Sequence, residues 1–329
     1  MEDWAPPVPD GYNDSNRAFL QAFISRGTFT FAEAAPILAA IVSAQGGGDE
    51  EIDPDSITQE DFEGYIAMAR EAVSPLDYDI RSTMHQTRKV RVWALINAHS
   101  DPATQLATAH TPDEISFIKR MLDAMFETYN TPRMEVMAIT APQARNIARP
   151  PRPSLSNGEA SQTSSDRGLK HGEVENLIAN LVEEGWLEKS REGFYSLSPR
   201  SLMELWSWLM ASYNDPDASG DDWQRIKFCE ACKEIVTVGQ RCSNRDCNVR
   251  LHDICQDAYW RTRREKKCPK CQNPWTGKHF VGERAVTETE AFQRGRRRGT
   301  GGRRSDLVDA IMRQNEEDGE EQPGSDEGT

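Results

Sequence analysis

The first 228 of the 329 residues contain no cysteine, and all seven cysteines of the chain lie between residues 229 and 271. An odd number of thiols leaves one unpaired in any full set of disulfides, and the polar, proline-rich start lacks the apolar segment of a secretory leader. No apolar run approaches the roughly 20 residues that a membrane helix needs. We therefore expect a protein of a reducing compartment with metal-binding cysteines and no membrane partner.

Acidic residues also outnumber basic residues outside one segment of the chain. The chain carries 53 Asp and Glu against 39 Lys and Arg, and residues 1–222 alone have a formal charge of −17. Residues 223–284 reverse the balance, with 14 basic against 7 acidic side chains. An acidic body repels the phosphate backbone of nucleic acids over most of its surface. We therefore expect the first 222 residues to dock proteins rather than DNA.

The spacing of apolar residues predicts a first winged-helix domain over residues 12–108. Thr30 and Glu33 have the spacing of a capping box, which opens a helix. The apolar period then changes from that of a helix to the alternation of strands. The predicted elements are helices at 15–26, from Thr30 and from Thr58, and strands around 76–80 and 90–96. Three helices followed by a two-stranded hairpin is the order of a winged helix.

The same order recurs over residues 109–215 and predicts a second winged-helix domain. Thr111 and Glu114 form a further capping box, and the composition of residues 150–168 predicts a flexible insert. The other predicted elements are a strand at 136–138, helices at 141–148, 173–184 and from Ser198, and wing strands at 186–187 and 194–197. The glutamates on the helix at 173–184 favour protein docking over entry into a DNA groove.

Seven cysteines and one histidine form four pairs by spacing: Cys229/Cys232, Cys242/Cys247, His252/Cys255 and Cys268/Cys271. Eight such ligands suffice for two tetrahedral zinc ions with none left over. Spacing alone leaves both a sequential and a crosswise assignment open. In a module this small, metal binding supplies most of the folding free energy, on the order of 10 kcal/mol.

Four pairs with the histidine in fifth position resemble both the RING finger and the PHD finger, and both resemblances imply crosswise wiring. One zinc would then take Cys229, Cys232, His252 and Cys255, and the other Cys242, Cys247, Cys268 and Cys271. The wide gaps around Cys247 favour a PHD finger. Lys266, where PHD fingers carry tryptophan, and the Cys268-Pro269-Lys270-Cys271 ending favour a RING finger. Residues 229–255 also lack the aromatic side chains of a methyl-lysine cage.

The order of the modules resembles the non-SMC element 1 family of the structural-maintenance-of-chromosomes (SMC) 5/6 complex. The segments that carry the resemblance are Arg17–Phe23, Ala124–Thr128, Gly193–Arg200 and Trp275 beyond the last ligand. It extends over roughly residues 12–280. The resemblance implies a nuclear subunit that acts in DNA repair. It further implies a MAGE-type partner bound through the winged helices and a kleisin subunit nearby.

The RING resemblance implies a ubiquitin ligase, which binds a ubiquitin-charged conjugating enzyme and positions its thioester for attack by a substrate lysine. Ala231, Ile235, Trp260 and Pro269 would form the enzyme contact, and local packing around zinc explains each of them equally well. Ala231 replaces the bulky aliphatic residue, and Gln272 the basic residue, that active RING fingers usually carry. These departures predict weak activity that depends on a partner.

Residues 285–329 are predicted to form a disordered tail. Its basic run, Arg294–Arg298 with Arg303 and Arg304, is a nuclear signal, a weak nucleic-acid contact or simply a solvated segment. Leu307, Val308, Ile311 and Met312 have the spacing of a short docking helix. The composition of the acidic end that follows predicts disorder.

These patterns together predict an α+β multidomain protein: two tandem winged-helix domains, a two-zinc cross-brace RING-like domain over 223–284 and a disordered tail. Two rival functions stay open beside the ligase. One is an architectural subunit whose winged helices and zinc module only dock proteins. The other is a PHD-like reader of chromatin or DNA.

Overall fold

The computed structural model describes residues 9–46, 51–98, 110–150, 166–219, 222–297 and 307–312. The chain divides into two compact units, Met1–Gln105 with Leu197–Ser207, and Leu106–Ser196 with Trp208–Thr329. Both units mix helices with short sheets. Among the described helices, none combines the length and the apolar character needed to cross a bilayer.

The helices are α1 Asp14–Arg26, α2 Phe31–Gln45, α3 Gln59–Val73, α4 Pro112–Asp123, α5 Ala141–Asn146, α6 His171–Glu183, α7 Pro199–Glu204, α8 Trp206–Tyr213, α9 Gln256–Arg261, α10 Arg284–Thr287 and α11 Glu290–Arg297. The strands are β1 Thr28–Phe29, β2 Tyr78–Met84, β3 Arg91–Asn97, β4 Ile139–Thr140, β5 Leu187–Lys189, β6 Phe194–Leu197, β7 Gly239–Arg241, β8 Arg250–Leu251 and β9 Phe280–Val281. Among the residues that the structure describes, these strands form three sheets of three strands, with orders β1-β3-β2, β4-β6-β5 and β8-β7-β9.

The first unit follows the predicted order of three helices and a hairpin. Thr30 and Thr58 cap α2 and α3, each through a complete capping box. The hairpin is antiparallel and runs in register from Tyr78 opposite Asn97 to Met84 opposite Arg91. Its core is largely aromatic, with Phe62 edge-on to Trp93 at 4.8 Å between ring centroids. The winged-helix classification itself remains a prediction.

Helix α7 belongs to the first unit, although we predicted residues 109–215 as one domain. Met203 on α7 packs against Ala94 and Ile96 of β3. The carboxylate of Glu204 accepts a hydrogen bond of 3.3 Å from the backbone N–H of Asn97. No sequence pattern indicated that α7 packs on β3, because local periodicity does not show which sheet a helix contacts.

The second unit differs from the prediction in detail. The strand predicted at 136–138 lies at Ile139–Thr140 instead, and the last helix is interrupted at Leu205 between α7 and α8. Most of the predicted insert at 150–168 lies outside the described residues. The capping box at Thr111 and Glu114 is present as predicted.

The described parts of the predicted disordered tail, residues 285–297 and 307–312, are largely helical. Helices α10 and α11 occupy the start of the segment, and residues 307–312 are helical. Val308, Ile311 and Met312 are buried in a cluster that also contains Val136, Phe194, Val286 and Phe292. The apolar spacing at 307–312 therefore predicted a helix correctly. Within the described residues, this helix packs on the second unit of the same chain. Arg298, Arg303 and Arg304 of the basic run lie outside the described residues.

Candidate metal centre

The eight predicted ligands come together in two groups of four. Cys229, Cys232, His252 and Cys255 form one group, and Cys242, Cys247, Cys268 and Cys271 form the other. Within each group the ligand atoms lie within 4.8 Å of one another. This is the crosswise grouping that the RING and PHD resemblances implied, and it interleaves the two sites along the chain.

The spacing of the sulfur and nitrogen atoms fits zinc. A tetrahedral ion with Zn–S bonds of about 2.3 Å has ligand–ligand edges of about 3.8 Å. The Cys242 and Cys271 sulfurs are 3.3 Å apart, and those of Cys247 and Cys268 are 3.6 Å apart. All seven cysteines are free thiols in the structure. Two zinc ions, one per group, are the cofactors that this donor set suits.

His252 is oriented by its second ring nitrogen. Nε2 lies 3.1 Å from the carbonyl oxygen of Ile235 and donates its proton there, which leaves the lone pair of Nδ1 for the metal. Nδ1 lies 3.3 Å from the sulfur of Cys232 and 3.9 Å from that of Cys255. Ile235 therefore contributes to the first site through its backbone.

The two CxxC pairs sit on matching turns. The N–H of Cys229 donates to the carbonyl of Glu234 at 2.8 Å, and that of Cys268 donates to Asn273 at 2.9 Å. In each turn the residue after the second cysteine, Lys233 or Gln272, has a positive φ of 63° or 60°. This left-handed residue turns the chain back and keeps both thiols of the pair on one side.

Two of the ligand thiols, Cys247 and Cys255, resist ionisation until metal is bound. Burial raises the pKa of Cys247 and of Cys255 to about 11, with neighbouring thiolates adding to the effect at both. Since zinc binds thiolate rather than thiol, loading must displace these protons. Affinity for zinc therefore rises with pH across the neutral range.

A buried charge cluster connects the metal module to the preceding domain. Glu135 is 2% exposed and lies within 3.5 Å of both Lys227 Nζ and the Arg241 guanidinium. Arg250, which is fully buried, binds both Glu135 oxygens, with Nε donating at 2.8 Å. Burial alone would raise the pKa of Glu135, but Arg250, Lys227 and Arg241 together lower it to about 2. Sequence reasoning missed this cluster, because no local pattern links residues so far apart.

The four residues proposed to contact a conjugating enzyme fall into two pairs. Ala231 and Pro269 are exposed, one on each CxxC turn. Ile235 is 3% and Trp260 8% exposed, so both lie beneath the surface. Trp260 packs against Trp275 with ring centroids 5.6 Å apart. Ile235 and Trp260 can therefore contribute to a contact surface only by packing beneath its exposed residues.

Two known protein families match parts of the chain. Residues 229–271 match the RING-like domain family, so the chain carries a zinc-binding RING-like module. This match favours the RING interpretation over the PHD one. Residues 16–205, more than half of the chain, match the family described as Nse1 non-SMC component of SMC5-6 complex. The chain belongs to this Nse1 family.

Individual proteins of the same family also resemble the chain. The chain is 24% identical over 263 residues to the non-structural maintenance of chromosomes element 1 homolog of Xenopus tropicalis, covering 80% of this chain and 83% of that protein. It is 22% identical over 253 residues to the corresponding protein of Schizosaccharomyces pombe, covering 75% and 93%. A solved structure described as an Nse1-Nse3-Nse4 complex superposes with a TM-score of 0.61 at 21% identity, over 82% of this chain and 99% of the matched chain. That likeness concerns the fold.

Proposed function

We propose that the chain is a RING-type ubiquitin ligase subunit of an SMC5-6 complex that acts in DNA repair in the nucleus. The observation that carries the proposal is the pair of crosswise ligand groups in a RING-like module, attached to a region of the Nse1 family. A ligase of this type has no nucleophile of its own. Its contribution is to hold a charged conjugating enzyme in a reactive orientation.

The exposed side of the two CxxC turns is the proposed contact with the conjugating enzyme. Ala231 and Pro269 present small apolar side chains there. Ile235 and Trp260 support the turns from beneath, and the backbone carbonyl of Ile235 also fixes His252. The small size of Ala231 and the uncharged Gln272 make this surface weak, which is the reason to expect dependence on a partner.

The proposed partners are a MAGE-type subunit, bound through the two winged-helix domains, and a kleisin subunit. The matching solved structure is a complex of Nse1, Nse3 and Nse4, which supports an assembly of three such components. The strongly acidic residues 1–222 favour protein docking over DNA binding for these domains. Binding of the MAGE-type subunit would then stimulate transfer by the zinc module.

A single-turnover assay tests this function directly. It follows ubiquitin discharge to free lysine from a charged conjugating enzyme, with and without a MAGE-type partner. The zinc-loaded chain should accelerate discharge in the presence of the partner, and Ala231→Asp or Pro269→Asp should abolish the acceleration. Ala291→Asp, at an exposed alanine on α11, is the matched control and should leave it unchanged.

A purely architectural role is the second candidate. The buried charge cluster around Glu135 favours it, because it joins the metal module to its neighbouring domain as one body. If discharge is not accelerated under either condition while zinc stays bound, the ligase proposal fails and the architectural role stands.

A further inference from the structure

The segment that begins at the last residue of α9 is exposed and strongly basic. Residues 261–270, called the basic loop here, contain one carboxylate and six basic side chains: Arg261, Arg263, Arg264, Lys266, Lys267 and Lys270. Every residue of the basic loop except Cys268 is exposed. Such a loop contrasts with a chain whose formal net charge is −14. Its C-terminal end, from Lys266 on, belongs to the turn that carries Cys268 and Cys271.

Some of these cations already have partners. The guanidinium of Arg263 stacks over the Tyr259 ring at 3.5 Å and donates to the Tyr259 carbonyl at 3.0 Å. Lys267 pairs with Glu265, the one carboxylate of the basic loop, at 2.6 Å. Arg261, Arg264 and Lys266 form no ion pair with any residue that the structure describes. These three cations are therefore available to an external anion.

The backbone of the basic loop is fixed at both ends. The N–H of Arg263 donates to the Trp260 carbonyl at 3.1 Å, which continues the last turn of α9. Further along the loop, the Lys266 carbonyl accepts from Trp275 N–H at 2.8 Å, and Cys268 N–H donates to the Asn273 carbonyl at 2.9 Å. Ordering a segment that is already held in place costs little on binding. The cations are thus presented on a frame that zinc itself stabilises.

We propose that the basic loop binds the phosphate backbone of duplex DNA, without reading its sequence, through Arg261, Arg264 and Lys266. Proteins that favour single strands stack bases on exposed aromatic rings. The two aromatic residues that precede the loop, Tyr259 and Trp260, are both buried, so this stacking is not offered. Point charges on a rigid loop suit the regular phosphates of a duplex instead. This activity goes beyond the proposed ligase function and does not depend on it.

The test measures binding of the zinc-loaded full chain to a short duplex of arbitrary sequence at several salt concentrations. Three neutralised phosphates predict that the logarithm of affinity falls against the logarithm of salt with a slope of about −2.7 from the basic loop. The variant R261Q/R264Q/K266Q should bind at least about tenfold more weakly at low salt and reduce the slope by about three. The matched variant K119Q/R167Q/K278Q removes three exposed cations elsewhere and should bind as the parent chain does.

Three results would overturn the proposal. The first is equal affinity of the basic-loop variant and the parent chain, or no binding by the parent chain at low salt. The second is loss of binding only in R294Q/R296Q/R297Q, which would assign DNA to α11. The third is a polyglutamate peptide that binds the basic loop as tightly as the duplex, which would identify an acidic protein as the ligand class.

Discussion

Glu135 and Arg250 form a buried, bidentate ion pair between residues 115 positions apart in the chain. Glu135 precedes β4 of the predicted second winged-helix domain, and Arg250 begins β8, between the fourth and fifth metal ligands. The Glu135 carbonyl also accepts from Gly282 N–H at 2.8 Å. The buried Glu135 carboxylate is therefore paired only when the metal module, which carries Arg250, is folded.

Removing that carboxylate should be severely destabilising. Glu135→Gln leaves the buried guanidinium groups of Arg250 and Arg241 without an anion, and breaking such a pair costs about 3–5 kcal/mol. Urea unfolding of the zinc-loaded chain at pH 7 measures the loss. Glu265→Gln, which removes the exposed partner of Lys267, is the control and should change the midpoint very little. Similar midpoints for both variants would refute the structural role of the cluster.

The chain should tolerate removal of the Lys227 cation, and the change in its free energy of unfolding should depend on pH. Burial lowers the pKa of Lys227 to about 7 despite the nearby Glu135. Below pH 7 the folded chain holds Lys227 as a buried charge, which is unfavourable. Between pH 7 and the unfolded pKa of about 10.4, the unfolded chain binds more protons at Lys227 than the folded chain does, so stability rises with pH. The parent chain should therefore gain stability relative to Lys227→Met as pH rises from 6.5 to 9, by roughly 2 kcal/mol. Urea unfolding at both pH values measures this, and a constant or opposite difference would contradict it.

Chelation should disturb structure beyond the ligands. Without zinc, the strand that carries Arg250 loses its anchor, and Glu135 loses its main partner. Amide hydrogen exchange should then accelerate around residues 130–138 as well as in 229–271. The amides of α1 and α2, in the first unit, serve as the internal control and should keep their protection. Unchanged exchange at 130–138 after full zinc removal would disprove the coupling.

The helix at 307–312 should depend on its contacts. The six described helical residues are too few to persist alone in water, where helices of about 12–15 residues are marginal. Ile311→Asp should release it, with a loss of roughly 2 kcal/mol or about 30-fold in its amide protection. Ala310→Asp lies on the exposed face of the same helix and should have little effect. Equal protection in the two variants would count against docking at this site.

The parts of the structure that sequence predicted well are those with local signals. The capping boxes at Thr30 and Thr111 place two helix starts, because a capping box is determined within four residues. The ligand pairs are equally local. Their crosswise combination followed from family resemblance, since spacing allowed two assignments.

The rest depends on contacts between distant segments. Packing of Met203 on β3, the Glu135 cluster and docking of residues 307–312 all join elements that are far apart in sequence. Trp260 illustrates the same limit at the proposed site. The RING resemblance suggested a contact between Trp260 and the conjugating enzyme, with local packing as an equal alternative, and Trp260 packs on Trp275 beneath the surface. Local patterns cannot report such burial.

Cadmium NMR tests most directly whether two metal ions share the ligands of residues 229–271 crosswise. The chain is loaded with ¹¹³Cd in place of zinc, and coupling to the His252 ring identifies the first site. Crosswise wiring predicts two signals, with Cys232→Ser perturbing the one coupled to His252 and Cys271→Ser perturbing the other. The reverse pattern would establish sequential wiring, and a single signal or oxidised thiols would refute the two-metal module.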